Sequence, residues 1–281
     1  MFDLRYHITT LVAIFLALAI GILVGTTMVS DQLLVEQQKQ MIDRLEDDFV
    51  ALREQNRESK EEMAVFQTAT DNYQQFADKV YPLIVSGRLA GVQAAIVITG
   101  EANYSDLVGS LSLSGLDINP VISISKDSES ISADKEGKLK DKVTVKLLAQ
   151  QLGHYLLSGD LTEPLEKWKQ MGLYDIHKGF ESQPNVVILV GGSQEEKDVV
   201  WIENFDIPLI NEVMQNEKAV IGTEYSKAAF SYIPYYQMEG ISTVDDIDLV
   251  LGQAALVFLL EGRPGHYGIK SSAKSIMPEI Y

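Results

Sequence analysis

The chain has 281 residues, of which 46% are hydrophobic, with no cysteine and a formal net charge of −17 at pH 7. Such an acidic excess argues against nucleic acid as a partner, because phosphate binding requires a basic surface. The lack of cysteine excludes disulfides and thiolate metal sites.

The first predicted element is an apolar helix over residues 8–29. About 20 apolar residues cross a hydrocarbon core of about 30 Å, whereas a secretory signal is shorter and ends at a cleavage site. No such site follows this run, so we expect a single-pass anchor in the lipid bilayer of the cell membrane. Arg5 precedes the run and an acidic segment, residues 31–62, follows it. This asymmetry predicts a cytoplasmic N-terminus and an extracytoplasmic remainder.

Small residues recur every four positions within the anchor. They are Ala13, Ala17, Gly21 and Gly25. The spacing places them on one helix face, where two backbones can approach closely in lipid. A monomeric anchor is the alternative, since small residues are common in membrane helices.

A heptad pattern follows the anchor, without Pro or Gly between residues 31 and 81. The principal positions of this seam are Val35, Ile42, Leu45, Phe49, Leu52, Asn56, Met63 and Phe66. A period of 3.5 residues predicts a coiled coil, and Asn56 at an a position is typical of two-stranded ones. In a parallel pair, Asp48 also meets Arg53 of the other chain. We therefore expect a parallel homodimer. The alternative is a single long helix that packs against its own globular domain.

The rest of the chain predicts one α/β domain. We expect Pro82 to end the long helix, which gives an N-terminus and anchor at residues 1–30, a coiled coil at 31–82 and an extracytoplasmic domain at 83–281. Predicted strands lie at residues 94–99, 118–124, 185–190 and 219–223, helices near 103–114, 143–157, 163–171, 196–216 and 245–261, and a solvated loop at 126–142. Continuous apolar strands separated by helices predict a mostly parallel sheet with flanking helices.

Two groups of polar residues are candidates for a site. Glu101, Ser193 and Glu224 follow predicted strands, and ligands bind outside the carboxyl ends of strands in open parallel sheets. Tight turns and helix caps explain these three residues more simply. Asp245 and Asp246 match a helix start that carries capping carboxylates, with a cation or acid–base site as the alternative.

No catalytic set is visible in the sequence. The Gly-x-Ser-x-Gly pattern of a nucleophile elbow is absent, and the four histidines lack the spacing of a helical zinc site. Methionines do not cluster as a soft site for Cu(I) would require. We therefore expect neither an enzyme nor a resident cofactor or metal.

Three motifs together resemble the MctB ("copper transporter") family, which includes the SteB-type envelope proteins. They are Leu4-Arg5-Tyr6-His7 before the anchor, Ser242-Thr243-Val244-Asp245-Asp246, and Gly265-His266-Tyr267-Gly268. The resemblance covers essentially the whole chain. It implies either copper transport or homeostasis, or a membrane-anchored partner of a SteA-like protein that helps control cell-wall remodelling and cell separation.

Of these functions, the sequence favours the second. We expect a dimeric, extracytoplasmic scaffold, because the chain has one helical span and lacks clustered metal ligands. Copper transport of the MctB type is the alternative, and copper as a ligand is implied by the resemblance alone. The Gly265-His266-Tyr267-Gly268 segment is interpreted as a tight turn in which Tyr267 packs against the domain. A loop that contacts a partner or a metal is the other interpretation.

Overall fold

The computed structural model describes residues 4–100, 102–126 and 141–279, with the description of residues 4, 27–34 and 142 limited to the backbone. Glu101 and most of the predicted loop at 126–142 lie outside the described residues. The chain divides into two compact units, Met1–Asn72 and Tyr73–Tyr281.

One long helix, α1, spans Leu4–Val85. It accounts for the described residues of the first unit, and its last residues, 73–85, belong to the second unit. Its segment Arg5–Thr26 is long and apolar enough to cross a membrane. The helix does not end at Pro82, as the sequence suggested, but continues to Val85. A proline this close to a helix end disrupts little, because few intrahelical bonds remain beyond it.

The second unit contains a seven-stranded sheet. The strands are β1 (Gln93–Ile98), β2 (Asp117–Ile124), β3 (Tyr174–Lys178), β4 (Val186–Gly191), β5 (Ala219–Glu224), β6 (Ser242–Val244) and β7 (His266–Tyr267). Their order is β3-β2-β1-β4-β5-β6-β7, and only the edge strand β3 pairs antiparallel. The predicted α/β class with a mostly parallel sheet is therefore confirmed.

Helices cover both faces of this sheet. They are α2 (Tyr104–Ser112), α3 (Lys142–Ser158), α4 (Glu163–Gln170), α5 (Val199–Trp201), α6 (Ile207–Gln215), α7 (Ile233–Met238) and α8 (Val250–Leu260). Alternate residues of β1 point to opposite faces, so Ala95 and Val97 join one buried cluster and Ile96 and Ile98 the other. Burial on both faces explains why the central strands are continuously apolar.

The structure differs from the sequence prediction where elements are short or interrupted. The expected helix over residues 196–216 is broken into a 3₁₀ turn, the single turn α5, a π-helical turn (Ile202–Asp206) and α6. The last predicted helix begins at Val250 rather than near 245. Strands β3, β6 and β7 and helix α7 were not predicted, because each is short and lacks a clear apolar period.

Candidate functional site

The anchor and seam residues lie along α1. The small residues of the anchor are exposed, and an added Cβ at Gly21 or Gly25 would meet no neighbouring atom. The large apolar side chains of the seam are exposed as well: Val35, Ile42, Leu45, Phe49, Leu52, Met63 and Phe66. Asn56 is also exposed. The surface that the sequence assigns to a dimer interface is therefore accessible.

The two C-terminal sequence motifs meet at one edge of the sheet. Strands β6 and β7 pair in parallel, with Val244 opposite Tyr267. The backbone N–H of Asp245 extends this pairing by donating to the Tyr267 carbonyl at 3.1 Å. Residues 242–248 and 265–270 therefore form one unit, which we call the motif corner.

Asp245 holds the segment that follows β7 in place through hydrogen bonds to its backbone. Its buried carboxylate accepts hydrogen bonds from the backbone N–H groups of Ile269 at 2.8 Å and Lys270 at 3.2 Å. Gly268 has φ +138°, and a Cβ there would collide with the Asp245 carboxylate. Glycine is required at this position because only a residue without a side chain fits both the backbone angle and the contact.

Asp246 lies beside Asp245 but makes no comparable contacts. It is fully buried, and neither of its carboxylate oxygens has a hydrogen-bond partner within the described part of the chain. Burial, followed by the charges of Asp245 and Asp248, raises the pKa of Asp246 to about 7, against the opposing effect of Lys270. The predicted capping role is wrong, since Leu249 is the N-cap of α8.

Lys270 pairs with another buried acid, Glu224, which lies outside the corner at the end of β5. Its ammonium group lies 2.7 Å from Glu224 Oε1 and also donates to the carbonyls of Tyr225 at 3.2 Å and Ala228 at 3.0 Å. The other oxygen of Glu224 accepts from the Tyr232 backbone N–H at 2.9 Å. Lys270 thus ties the motif corner to the loop that follows β5.

The predicted pocket rim is only partly present. Glu224 is buried beneath the surface, and Glu101 lies outside the described residues. Ser193 is buried, and its hydroxyl donates to the Glu195 carbonyl at 3.0 Å. A cavity of about 210 Å³ at this edge is lined by Gly191, Gly192, Ser193, Gln194, Tyr225, Lys227 and Ala228. Of the two rim residues that the structure describes, Ser193 lines this cavity and Glu224 does not.

Sequence reasoning missed a further buried carboxylate, Asp206, which ends the π-helical turn. Its Oδ2 accepts from the Tyr236 hydroxyl at 2.7 Å and from Thr99 Oγ1 at 3.2 Å, whereas Oδ1 has no partner among the described residues. Burial raises the pKa of Asp206 to about 6, and the charge of Lys126 and these two hydrogen bonds act in the opposite direction.

Asp206 lies near the switch point between β1 and β4, where ligands usually bind in such sheets. Tyr232 and Tyr236 occupy this position, and a Cβ at Gly191 would collide with the Tyr236 hydroxyl. Tyr232 and Tyr236 therefore pack against the end of β4 at the switch point, next to the cavity lined by Gly191, Gly192 and Ser193.

The three histidines of the second unit lie in separate places. His154 is exposed on α3, and His177 stacks on Tyr104 with 4.1 Å between ring centroids. His266 Nδ1 lies 3.1 Å from Thr243 Oγ1, and partial burial and a nearby lysine lower its pKa. Within residues 4–100, 102–126 and 141–279, no group of three or more His, Cys, Asp or Glu is arranged to hold a metal ion.

Known proteins resemble this chain over nearly its full length. The family model described as "Copper transport outer membrane protein, MctB" matches residues 1–278. Proteins named "Copper transporter MctB" from Mycobacterium bovis and two strains of Mycobacterium tuberculosis are each 26% identical over 331 residues, covering 98% of this chain and 99% of the relative.

These matches favour the copper-transport alternative over the scaffold function that the sequence favoured. They also agree with an N-terminal helix that can anchor the protein, without fixing its orientation. Because the family model spans the anchor, the long helix and the domain with the motif corner, the chain belongs to the MctB family.

Proposed function

We propose that this chain takes part in copper transport in the cell envelope as a membrane-anchored, self-associating protein. The observation that carries this proposal is the match of the MctB family model to residues 1–278. Within the described residues one helix is long and apolar enough to cross a membrane, and a single helix has no internal channel. The role in transport therefore depends on association of the chain with itself or with other membrane proteins.

The topology follows from the charges that flank the anchor. Arg5 precedes the apolar span, whereas the segment after it is strongly acidic. Cytoplasmic flanks are enriched in Lys and Arg, so the N-terminus is cytoplasmic and the second unit is extracytoplasmic in our proposal.

The proposed partner is a second copy in a parallel dimer. Ile42, Leu45 and Phe49 expose more than half of their side-chain surface, and contiguous exposed apolar surface usually marks an interface. The parallel register also places Asp48 at g opposite Arg53 at e of the other copy, which favours pairing. No role in nucleic-acid binding or in enzymatic catalysis is proposed.

Copper is proposed as cargo rather than as a resident ion of the second unit. His154, His177 and His266 lie apart, and a lone histidine without neighbouring ligands is a weak metal site. Equilibrium dialysis of the full chain in nanodiscs against Cu(I) and Cu(II) is therefore expected to show weak binding. Tight stoichiometric binding that is lost after replacing any of the three histidines would contradict this part of the proposal.

The transport role is tested in cells that lack the gene. We expect their copper content after copper exposure to differ from that of the parent strain. The wild-type chain should restore the parental value, as should a surface control, Asp47→Ala, whereas Leu45→Asp in the seam should not. Unchanged copper content in the deletion strain would refute copper transport as the function.

A scaffold linked to cell-wall remodelling or cell separation is the second candidate. The exposed seam favours it, because such a surface serves assembly without requiring a metal site. This candidate predicts that a SteA-like protein co-purifies with the full chain from native membranes. It also predicts that deletion impairs cell separation while copper content stays constant.

A further inference from the structure

The end of α1, residues 73–85, carries two different apolar faces; we call this segment the neck. One face packs against the rest of the second unit. Tyr81 and Val85 are buried there, and the Tyr81 hydroxyl donates to the Ser110 carbonyl of α2 at 3.2 Å. Ala77 and Val80, which continue the a and d positions of the seam, are partly buried. The a and d positions are thus less exposed at the neck than along the seam.

The other face of the neck is uncovered. Tyr73, Phe76 and Leu83 expose 76%, 65% and 82% of their surface, respectively. Their spacing of three and seven residues places them on one side of the helix. We call these three residues the neck stripe. Large apolar side chains this exposed, adjacent to a folded domain, indicate a surface that another molecule covers.

We infer that a second copy of this chain covers the neck stripe, so that the dimer interface continues past the coiled coil and shifts from a and d positions to d and g positions. This inference rests on the proposed dimer. The cause of the shift is the burial of the other side of the neck: Ala77 and Val80 are partly buried, whereas the neighbouring g positions, Phe76 and Leu83, are exposed and available to a partner helix.

Two observations identify the partner as a second copy. The heptad register of the exposed seam leads without interruption into the stripe, with Tyr73 at d. In a parallel dimer each g residue faces the e residue five positions later in the other copy. Asp48 then faces Arg53 and Glu62 faces Gln67, so no like charges oppose each other along the seam.

Tyr81 is buried against its own domain and its hydroxyl donates to Ser110 of α2, so in our proposal Phe76 and Leu83 pack on the neck stripe of the other copy instead. Each neck helix would therefore lie between its own domain and the partner helix. Such an arrangement gives the two domains a fixed position relative to the dimer axis instead of leaving them free on a single stalk.

The test uses single cysteines, since the chain has none of its own. Full-length variants carrying Phe76→Cys, Leu83→Cys or Gln75→Cys are treated with a short bismaleimide in native membranes. Gln75 is the matched control, because it is exposed on the same turn but lies about 100° around the helix from Phe76. Leu45→Cys measures dimerisation through the coiled-coil seam independently of the neck.

We expect Phe76→Cys and Leu83→Cys to give about fivefold more homodimer than Gln75→Cys, because a dimer holds these positions at high effective concentration. If Leu45→Cys forms homodimers but Phe76→Cys and Leu83→Cys form no more than Gln75→Cys, the neck interface is refuted and the coiled-coil dimer is not. Failure at all three positions would overturn both. Crosslinking of the stripe to a different protein, identified by mass spectrometry, would also refute a second copy as the partner.

Discussion

Replacing Asp246 with asparagine tests whether the Asp246 carboxyl stays protonated in the folded chain at pH values where it is ionised in the unfolded chain. The folded chain raises the pKa of this carboxyl from 3.8 to about 7, chiefly because the group is buried. Asparagine is uncharged at every pH and close in shape to the protonated acid. Asp246→Asn should therefore remove the cost of ionising this group and keep its packing.

The magnitude follows from proton linkage. Between pH 4 and pH 7 the folded state holds the proton that the unfolded state releases, so the Asp246 contribution to stability falls as the pH rises. One unit of pKa difference corresponds to about 1.4 kcal/mol. A pKa difference of about three units therefore predicts that ionised Asp246 lowers the free energy of unfolding by on the order of 4 kcal/mol. The full loss is reached above pH 7. The variant and the wild type should unfold alike at pH 4, and the variant should be the more stable at pH 8.

Urea unfolding of the full chain in mild detergent, followed by tryptophan fluorescence, measures this difference. Trp168 and Trp201 are the two tryptophans of the chain, and both lie in the second unit. Asp160→Asn at an exposed position is the control, and its effect should not change with pH. A difference between Asp246→Asn and wild type that stays constant from pH 5 to pH 8 would show that the folded chain does not hold this proton.

Three further substitutions test the corner by thermal unfolding of the full chain. Gly268→Ala should destabilise it by about 3 kcal/mol, through a clash added to backbone strain, whereas Gly172→Ala, with a left-handed φ but open space, should cost about 1 kcal/mol. Lys270→Met should cost about 3 kcal/mol because it leaves the buried Glu224 unpaired, and adding Glu224→Gln should restore most of that loss; no recovery would refute the pairing. Tyr267→Ala removes partly buried ring surface and two hydroxyl contacts of 3.3 Å, so we expect a loss of about 2 kcal/mol; a wild-type melting temperature would instead support a surface role.

The central layer of the fold could be predicted from the sequence because local composition encodes it. Strands such as β4 are continuous apolar runs, and burial on both faces of a parallel sheet is what such runs indicate. The edge strands carry no such signal. Strand β3 alternates buried and exposed residues over five positions, and β7 has only two residues, so their pairing depends on contacts between distant parts of the chain.

The polar interior could not be predicted for a related reason. Ser242-x-x-Asp245 satisfies the local pattern of a helix start, yet the structure places Asp245 against the backbone of Ile269 and Lys270, more than 20 residues later. The sequence does contain the local pattern of a helix start, but the position of the Asp245 carboxylate is determined by its contacts with residues distant in the sequence. Asp206 shows the same limit, because its partners Thr99 and Tyr236 come from separate parts of the chain.

These buried acids also bear on where function lies in the chain. Tyr232 and Tyr236 pack against Gly191 at the switch point, and the motif corner uses Asp245 and Lys270 to hold its own backbone. Hydrogen bonds of this kind stabilise the fold, whereas both carboxylate oxygens of Asp246 and Oδ1 of Asp206 have no partner among the described residues. The apolar face of α1 is the opposite case, since its large side chains are exposed. The proposed assembly through α1 is therefore the hypothesis that this exposed surface supports most directly.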